Sequence, residues 1–174
     1  IIVEQGDKVL FIDKHAAHER MNFDRMKAEG YDPMSQTLLA PAVCRLSPEE
    51  HAALTARLPL LEEFGFAAED FGGGALIVRQ APFDVDPGDI EATLTEIARK
   101  LLSTGSADPA AARDELLHTM ACKAAIKGGW RTSPQELERV ARAVMSGQVR
   151  YCPHGRPVAI ELTRGQLEKQ FKRA

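Results

Sequence analysis

The chain of 174 residues has no long apolar run, few cysteines and no excess of basic residues. No apolar stretch approaches the roughly 20 residues that cross a bilayer, and no segment resembles a secretion signal, so we expect a soluble, cytoplasmic protein. The three cysteines, Cys44, Cys122 and Cys152, are widely spaced and make no disulfide framework. This favours reduced thiols that are either buried or bound to a metal.

The charge balance argues against a protein that binds DNA tightly by itself. There are 22 Lys and Arg residues against 25 Asp and Glu residues, for a formal net charge of -3. The basic residues are scattered and form no stripe, so any nucleic acid would have to be delivered by a partner. The glycines at positions 72–74 are not followed by Lys and Ser or Thr, so they indicate a loop and not a phosphate cradle.

Strands and helices alternate along the chain without internal repeats, which predicts a mixed α/β fold. A hairpin is expected from residues 1–4 and 8–12, followed by a helix over 15–28, a turn-rich crossing over 33–41 and a short extended stretch that includes Leu38, Leu39 and Val43. The sequence then predicts one helix from Ser47 to about Phe64, a hairpin from 66–71 and 75–81, and a helix ending near Leu102. The remaining predicted elements are helices over 110–127 and 134–145, a strand over 157–162 and a helix from Thr163.

Three candidate metal ligands lie within seven positions after the predicted strand 9–12. Asp13 stands where a helix N-cap is expected, and His15 and Glu19 lie four residues apart on one face of the helix that follows. Nitrogen and oxygen ligands that converge in this way suit a divalent metal. A capping Asp and a solvated helix face would explain the same residues, so this segment alone leaves both interpretations open.

A second group of candidate ligands lies in the segment 152–157, Cys-Pro-His-Gly-Arg-Pro. Its Pro and Gly residues force a bend that can turn the Cys152 thiolate and the His154 imidazole toward one point. A closed site needs about four ligands, so the two groups are more informative together than either is alone. Cys122, one turn after His118 on a predicted helix, is a further candidate, although a small buried side chain would explain it as well.

These motifs, taken in order, resemble those of the MutL mismatch-repair family, in the C-terminal domain of the bacterial branch that carries a nicking endonuclease. Residues 13–24 resemble the helix motif D-Q-H-A-x-x-E-x-x-x-x-E, with Lys14 in place of Gln and Asp24 in place of the last Glu. Residues 121–128 resemble A-C-R/K-x-x-x-K-x-G, residues 152–157 match C-P-H-G-R-P, and residues 171–173 resemble the terminal F-x-R. Residues 36–41, Gln-Thr-Leu-Leu-Ala-Pro, resemble the Q-x-x-L/I-x-P segment by which this family docks onto the replication sliding clamp.

The resemblance implies a discontinuous dimerisation subdomain, residues 1–28 and 113–174, interrupted by a regulatory subdomain, residues 29–112. The first would carry the metal site and the second the clamp motif. The implied partners are a second copy of the chain, weakly bound DNA, the sliding clamp, and the mismatch-recognition protein MutS through the full-length protein. The chain lacks an initiator Met and opens inside an apolar run, so we expect a piece of a longer protein. ATP is expected to act only in an N-terminal domain outside this chain.

The implied activity is metal-dependent nicking of one DNA strand, with zinc in a structural or regulatory role and manganese or magnesium in the catalytic role. The implied metal ligands are Asp13, His15, Glu19, Cys122, Cys152 and His154. The implied catalytic residues are Asp13, His15, Glu19 and Lys123. The implied clamp-binding residues are Gln36, Leu38, Leu39 and Pro41, and the implied phosphate or DNA contacts are Lys127, Arg156 and Arg173.

Two other classes of protein compete with this interpretation. A non-catalytic dimerisation and clamp-binding module with a structural zinc would carry the same motifs but would not nick DNA. A metallopeptidase is disfavoured, because His15, His18 and Glu19 stand in the wrong order for H-E-x-x-H or H-x-x-E-H.

Overall fold

The computed structural model describes residues 1–103, 108–129 and 133–172, and the side chains at 126–129 lie outside the description. The strands are β1 (Ile2–Gln5), β2 (Lys8–Ile12), β3 (Ser35–Arg45), β4 (Ala67–Gly72), β5 (Ala75–Pro82) and β6 (Ala159–Thr163). The helices are α1 (Lys14–Glu29), α2 (Pro48–Thr55), α3 (Leu58–Glu63), α4 (Ile90–Ser103), α5 (Pro109–Gly129), α6 (Pro134–Met145) and α7 (Arg164–Gln170), with a 3-10 turn at Pro87–Asp89. The expected mixed α/β class is confirmed. Within the described ranges, no helix is long and apolar enough to cross a membrane.

The chain divides into two compact units. Unit 1 comprises Ile1–Asp24 and Ala125–Ala174, and unit 2 comprises Arg25–Ala124. The boundaries expected from the sequence are 28/29 and 112/113, whereas the observed divisions fall after Asp24 and after Ala124. The roles expected for the two parts stay predictions. Helices α1 and α5 each extend across a boundary.

Unit 1 is built on a three-stranded antiparallel sheet in the order β1-β2-β6. One face of the sheet contributes Ile12 to the core, together with partly buried Val3 and Leu10. The buried residues of this core are Ile12, Ala17, Val140, Ala143, Val144, Val149, Cys152 and Val158. Helices α1 and α6 therefore share one apolar core with the sheet and with the segment that holds Cys152.

The opposite face of the unit 1 sheet carries an exposed line of apolar side chains, which we call the apolar row: Ile2, Phe11 and Ile160. The register places Ile2 opposite Phe11 and Phe11 opposite Ile160, so the three side chains lie on one face. Their exposed fractions are 69%, 37% and 63%. The apolar row is therefore an aligned group of large apolar side chains in contact with water.

Unit 2 is built on a second antiparallel sheet in the order β3-β5-β4, which leaves β3 and β4 at the edges. Helix α4 packs against β3 and α2. The core contains the fully buried side chains of Leu54, Leu61, Phe64, Phe66, Leu76, Val78, Ile90, Leu94, Leu116 and Met120.

The single helix predicted from Ser47 to about Phe64 is wrong, because the structure has two helices there. The predicted start is confirmed: Ser47 and Glu50 form a capping box at the beginning of α2. The helix ends at Thr55, and α3 begins at Leu58 with Pro59 in its first turn. Proline lacks an amide hydrogen and its ring clashes with the carbonyl four residues earlier, so one continuous helix is excluded.

The turn-rich crossing predicted over 33–41 is also wrong over most of its length, whereas the short extended stretch predicted at Leu38, Leu39 and Val43 is confirmed as part of a longer strand. Strand β3 begins at Ser35 and continues for 11 residues. Both of its ends pair with β5, from Ser35 opposite Pro82 to Arg45 opposite Ala75. Prolines at positions 33 and 41 suggested turns, but the second proline lies in an unpaired bulge of an edge strand, where no ladder hydrogen bond is needed.

Candidate functional site

Asp13 joins β2 to α1, as the sequence predicts. Its backbone N–H donates to the Val158 carbonyl at 2.8 Å, and its Oδ1 accepts from the Ala16 N–H at 3.1 Å. The carboxylate therefore caps the helix, which confirms the predicted N-cap. The same backbone bond fixes the start of α1 beside the chain that follows the Cys152 segment.

The next two candidate ligands, His15 and Glu19, contact each other on α1. The His15 Nε2 lies 3.2 Å from the Glu19 Oε1, and the side chains are 47% and 11% exposed. Ligand atoms held about 2.0–2.2 Å from one zinc ion lie roughly 3 to 3.5 Å apart, so this pair is spaced to share an ion. Within the described part of unit 1, no third His, Cys, Asp or Glu brings a ligand atom within 4.8 Å of both.

The segment with Cys152 and His154 forms a tight turn against the unit 1 core. The Cys152 N–H donates to the Arg156 carbonyl at 2.8 Å, and the Gly155 N–H donates to the Cys152 carbonyl at 2.9 Å. Gly155 adopts a φ of +79°, which favours glycine at this position. The Arg156 N–H donates to the Cys152 Sγ at 3.4 Å. The thiol is buried and His154 is exposed, and their ligation of a metal stays a prediction.

A buried histidine outside the predicted set of ligands lies on the neighbouring face of α1. The His18 Nε2 is 3.3 Å from the Glu136 Oε1, and this contact links α1 to the first turn of α6. Burial lowers the pKa of His18, the Glu136 carboxylate opposes that shift, and nearby Arg139 adds to it. Its position three residues after His15 was the available signal, but Glu136 is too distant in the sequence for local spacing to reveal the pairing.

Four further candidate residues are Cys122, Lys123 and Lys127, which belong to α5, and Arg173, which follows α7 in the sequence. Cys122 and Lys123 belong to unit 2, and Cys122 is half-buried. The Lys123 Nζ lies 3.9 Å from the Glu96 Oε2 of α4, so this cation already faces a carboxylate in its own unit. The Lys127 side chain and Arg173 lie outside the described residues, and the roles predicted for all four stay predictions.

The segment 36–41, which we call the docking segment, lies on the edge strand β3. The register jumps from Thr37 opposite Gln80 to Ala42 opposite Val78, so the residues between them have no partner in β5. Leu39 is fully exposed, with a relative accessibility of 110%. The Gln36 Nε2 donates to the Val85 carbonyl at 3.0 Å, which fixes the start of the bulge. The arrangement presents an apolar side chain on backbone that is free to pair.

The family model described as "MutL C terminal dimerisation domain" matches residues 1–132. The chain belongs to this family. The match covers Asp13, His15, Glu19 and the docking segment and stops before Cys152. Residues beyond it are covered by relatives that are similar over nearly the whole chain.

Three MutL relatives illustrate that similarity, and each carries the description "DNA mismatch repair protein MutL". The protein of Caldanaerobacter subterraneus is 33% identical over 174 residues, which cover 99% of this chain and 30% of the relative. The Caulobacter vibrioides protein is 36% identical over 180 residues, covering 99% of this chain and 28% of the relative. The Acidiphilium cryptum protein is 38% identical over 180 residues, covering 100% and 31%. The chain therefore spans about 30% of the length of the relatives it matches.

Proposed function

We propose that this chain is the dimerising, metal-dependent DNA nicking part of a mismatch repair protein. The observation that carries the proposal is the contact between His15 and Glu19, directly after the Asp13 cap. A buried carboxylate and an exposed imidazole at ligand spacing on one helix provide the start of a metal site. The MutL family membership and the sequence resemblance supply the substrate, DNA.

The side chains that would hold metal are Asp13, His15, Glu19, Cys122, Cys152 and His154. The thiolate and imidazole ligands suit zinc, whereas the carboxylates suit manganese or magnesium. A bound divalent ion would polarise a phosphodiester oxygen and supply hydroxide from water at neutral pH. Lys123 and Arg156 would then neutralise charge on the phosphate, and Lys127 and Arg173 would add DNA contacts.

The test of the nicking activity is Glu19→Gln in the intact protein. The amide keeps the size of the side chain and removes the charge that would hold the ion. We expect manganese-dependent nicking of supercoiled plasmid to fall by more than about 100-fold, beyond the loss typical of residues that only support a ligand. The matched control is Glu138→Gln, an exposed carboxylate of α6 that pairs with Arg142 at 2.6 Å and should leave nicking unchanged. Nicking by Glu19→Gln at the unmodified rate would make the endonuclease proposal wrong.

The apolar row supports homodimerisation as part of the proposed function. A second copy would cover Ile2, Phe11 and Ile160 with the same face of its own sheet, in the symmetric arrangement that most homodimers adopt. The family description names dimerisation, and the aligned register supplies a continuous surface for it. Removing these side chains from water would favour the dimer.

The docking segment supports recruitment by the sliding clamp. An exposed Leu39 on unpaired backbone is the form in which a short segment enters an apolar groove of a partner, with Leu38 and Pro41 beside it. With a net charge of -3, the chain by itself has little attraction for DNA, so binding to the sliding clamp would help to bring it to DNA. MutS and ATP would act through the longer protein.

A non-catalytic dimerisation and clamp-binding module with structural zinc is the second candidate. The observation in its favour is the burial of Cys152 in the unit 1 core, where a bound ion would brace the fold. This candidate predicts zinc in the purified protein and no nicking by the unmodified protein with manganese and clamp present.

A further inference from the structure

The segment 150–158 is a rigid hairpin that holds one aromatic ring in water. The Cys152 N–H donates to the Arg156 carbonyl at 2.8 Å, and the Val158 N–H donates to the Arg150 carbonyl at 3.0 Å. These two bonds flank the antiparallel pair formed by Tyr151 and Pro157. The pair is therefore of the close type without mutual hydrogen bonds, in which the two side chains lie next to each other on one face.

Tyr151 points away from the core that its neighbour occupies. Cys152 is 4% exposed and packs in the unit 1 core, whereas Tyr151 is 56% exposed. Consecutive residues of an extended segment face opposite sides, which explains the contrast. The backbone geometry of the hairpin therefore places the Tyr151 ring in solvent.

The two arginines of the hairpin differ from the other arginines of unit 1 that the structure describes. Arg20, Arg139, Arg142 and Arg164 each lie within 4.0 Å of a carboxylate. Arg150 and Arg156 have no carboxylate that close among the residues that the structure describes. Arg150 is instead held by a hydrogen bond from its Nε to the Gly147 carbonyl at 3.2 Å. Both guanidinium groups are exposed and keep donors for an external anion.

We propose that Tyr151 stacks on an unpaired base or deoxyribose of a DNA strand while Arg150 and Arg156 contact the adjoining phosphates. Arg150 directly precedes Tyr151, and Arg156 directly precedes Pro157. Proteins that bind single-stranded nucleic acid combine exposed aromatic rings with cationic side chains in this way. A paired duplex hides the faces of its bases, so the hairpin favours a single or frayed strand. This inference rests on the proposed action on DNA and adds a contact for the strand beside the Cys152 segment.

The test measures binding of a fluorescent single-stranded oligonucleotide to the full chain at low salt, without added metal. Tyr151→Ala should weaken binding about 5-fold or more, and Tyr151→Phe should bind like the unmodified chain because the ring face remains. Phe71→Ala removes another exposed aromatic ring, 60% exposed in unit 2, and should not change binding. Thermal unfolding of each variant shows that the fold is kept.

The arginines are tested by the salt dependence of the same binding. Affinity for DNA falls as salt rises, so the slope of log affinity against log salt is negative. The double variant Arg150→Gln with Arg156→Gln should make this slope less steep by about 1.4, because two phosphate contacts to a single strand are lost. The control pair Arg142→Gln with Arg164→Gln changes the net charge equally but removes paired arginines. An equal change of slope in both double variants would overturn the proposal.

Three outcomes separate this inference from the proposed function. If the intact protein nicks plasmid and Tyr151→Ala binds the oligonucleotide as tightly as Phe71→Ala, the stacking role is wrong and the nicking proposal stands. If the intact protein does not nick and Tyr151→Ala still loses binding, the DNA contact stands and nicking is wrong. If Tyr151→Ala changes the sedimentation of the chain in place of its DNA binding, the hairpin is an interface between copies and the proposal is overturned.

Discussion

Asp13 caps α1 and is also a proposed metal ligand, and substitution can separate these two roles. Asparagine caps helices as well as aspartate does, whereas alanine removes the acceptor that binds the Ala16 N–H. We expect Asp13→Asn to keep the thermal stability and to reduce bound metal. Asp13→Ala should reduce bound metal and also lose about 1 kcal/mol of unfolding free energy.

Urea unfolding and elemental analysis of the purified variants measure the two effects independently. Equal metal content in Asp13→Asn and the unmodified chain would show that Asp13 is a cap and not a ligand. A large stability loss in Asp13→Asn would instead show that its charge supports the fold.

At this scale the sequence predicted the contacts that depend on local spacing. The Asp13 cap and the apposition of His15 and Glu19 follow from positions three and four residues apart on one helix turn. The contact of His18 with Glu136 joins residues far apart in the chain, and only the shared core of α1 and α6 brings them together. No pattern within either helix contains that information.

Because the docking segment is exposed, a substitution in it should change binding to the sliding clamp without changing the free energy of unfolding. Leu39 packs against nothing that its loss would disturb, so Leu39→Asp should change the unfolding free energy by less than about 0.5 kcal/mol. The same change should abolish binding to the sliding clamp, because a charge replaces an apolar anchor.

The matched control is Val43→Asp, on the same strand beyond the bulge and 44% exposed. Surface plasmon resonance with immobilised clamp compares the two variants with the unmodified chain. Equal loss of binding in both would assign the effect to the strand as a whole, and unchanged binding of Leu39→Asp would rule out the segment as the clamp contact.

Element types were predictable from the sequence, but two element limits were not. Ser47 and Glu50 indicate the start of α2. The break before Pro59 follows from its missing amide hydrogen, but the long apolar pattern around it favoured the prediction of a single helix. The length of strand β3 was underestimated for a different reason. Pro41 normally indicates a turn, but at an edge strand a bulge accommodates it, and edge position is a property of the assembled sheet.

For the molecule as a whole, the apolar row predicts how the chain associates. Ile160→Asp places an unpaired charge on the apolar row, next to Phe11, in the surface that a second copy would cover. We expect the dimer to dissociate about 100-fold more readily, since burying an unpaired carboxylate costs several kcal/mol. Sedimentation equilibrium over a range of concentrations measures the change.

Leu102→Asp is the control, because it introduces the same charge at an apolar residue of unit 2 that is 46% exposed. It should leave the association unchanged. If Ile160→Asp remains as dimeric as this control, the apolar row is not the interface.

The pairing of β2 with β6 sets an order of events during synthesis of the chain. Lys8 and Glu161, which contact each other across these strands at 3.0 Å, are 153 positions apart, whereas unit 2 is one continuous segment between them. Nearby contacts form sooner than distant ones, and the ribosome releases unit 2 before β6 exists. The sheet of unit 1 therefore closes after unit 2 has been released, so its apolar row is not complete until Ile160 has been made.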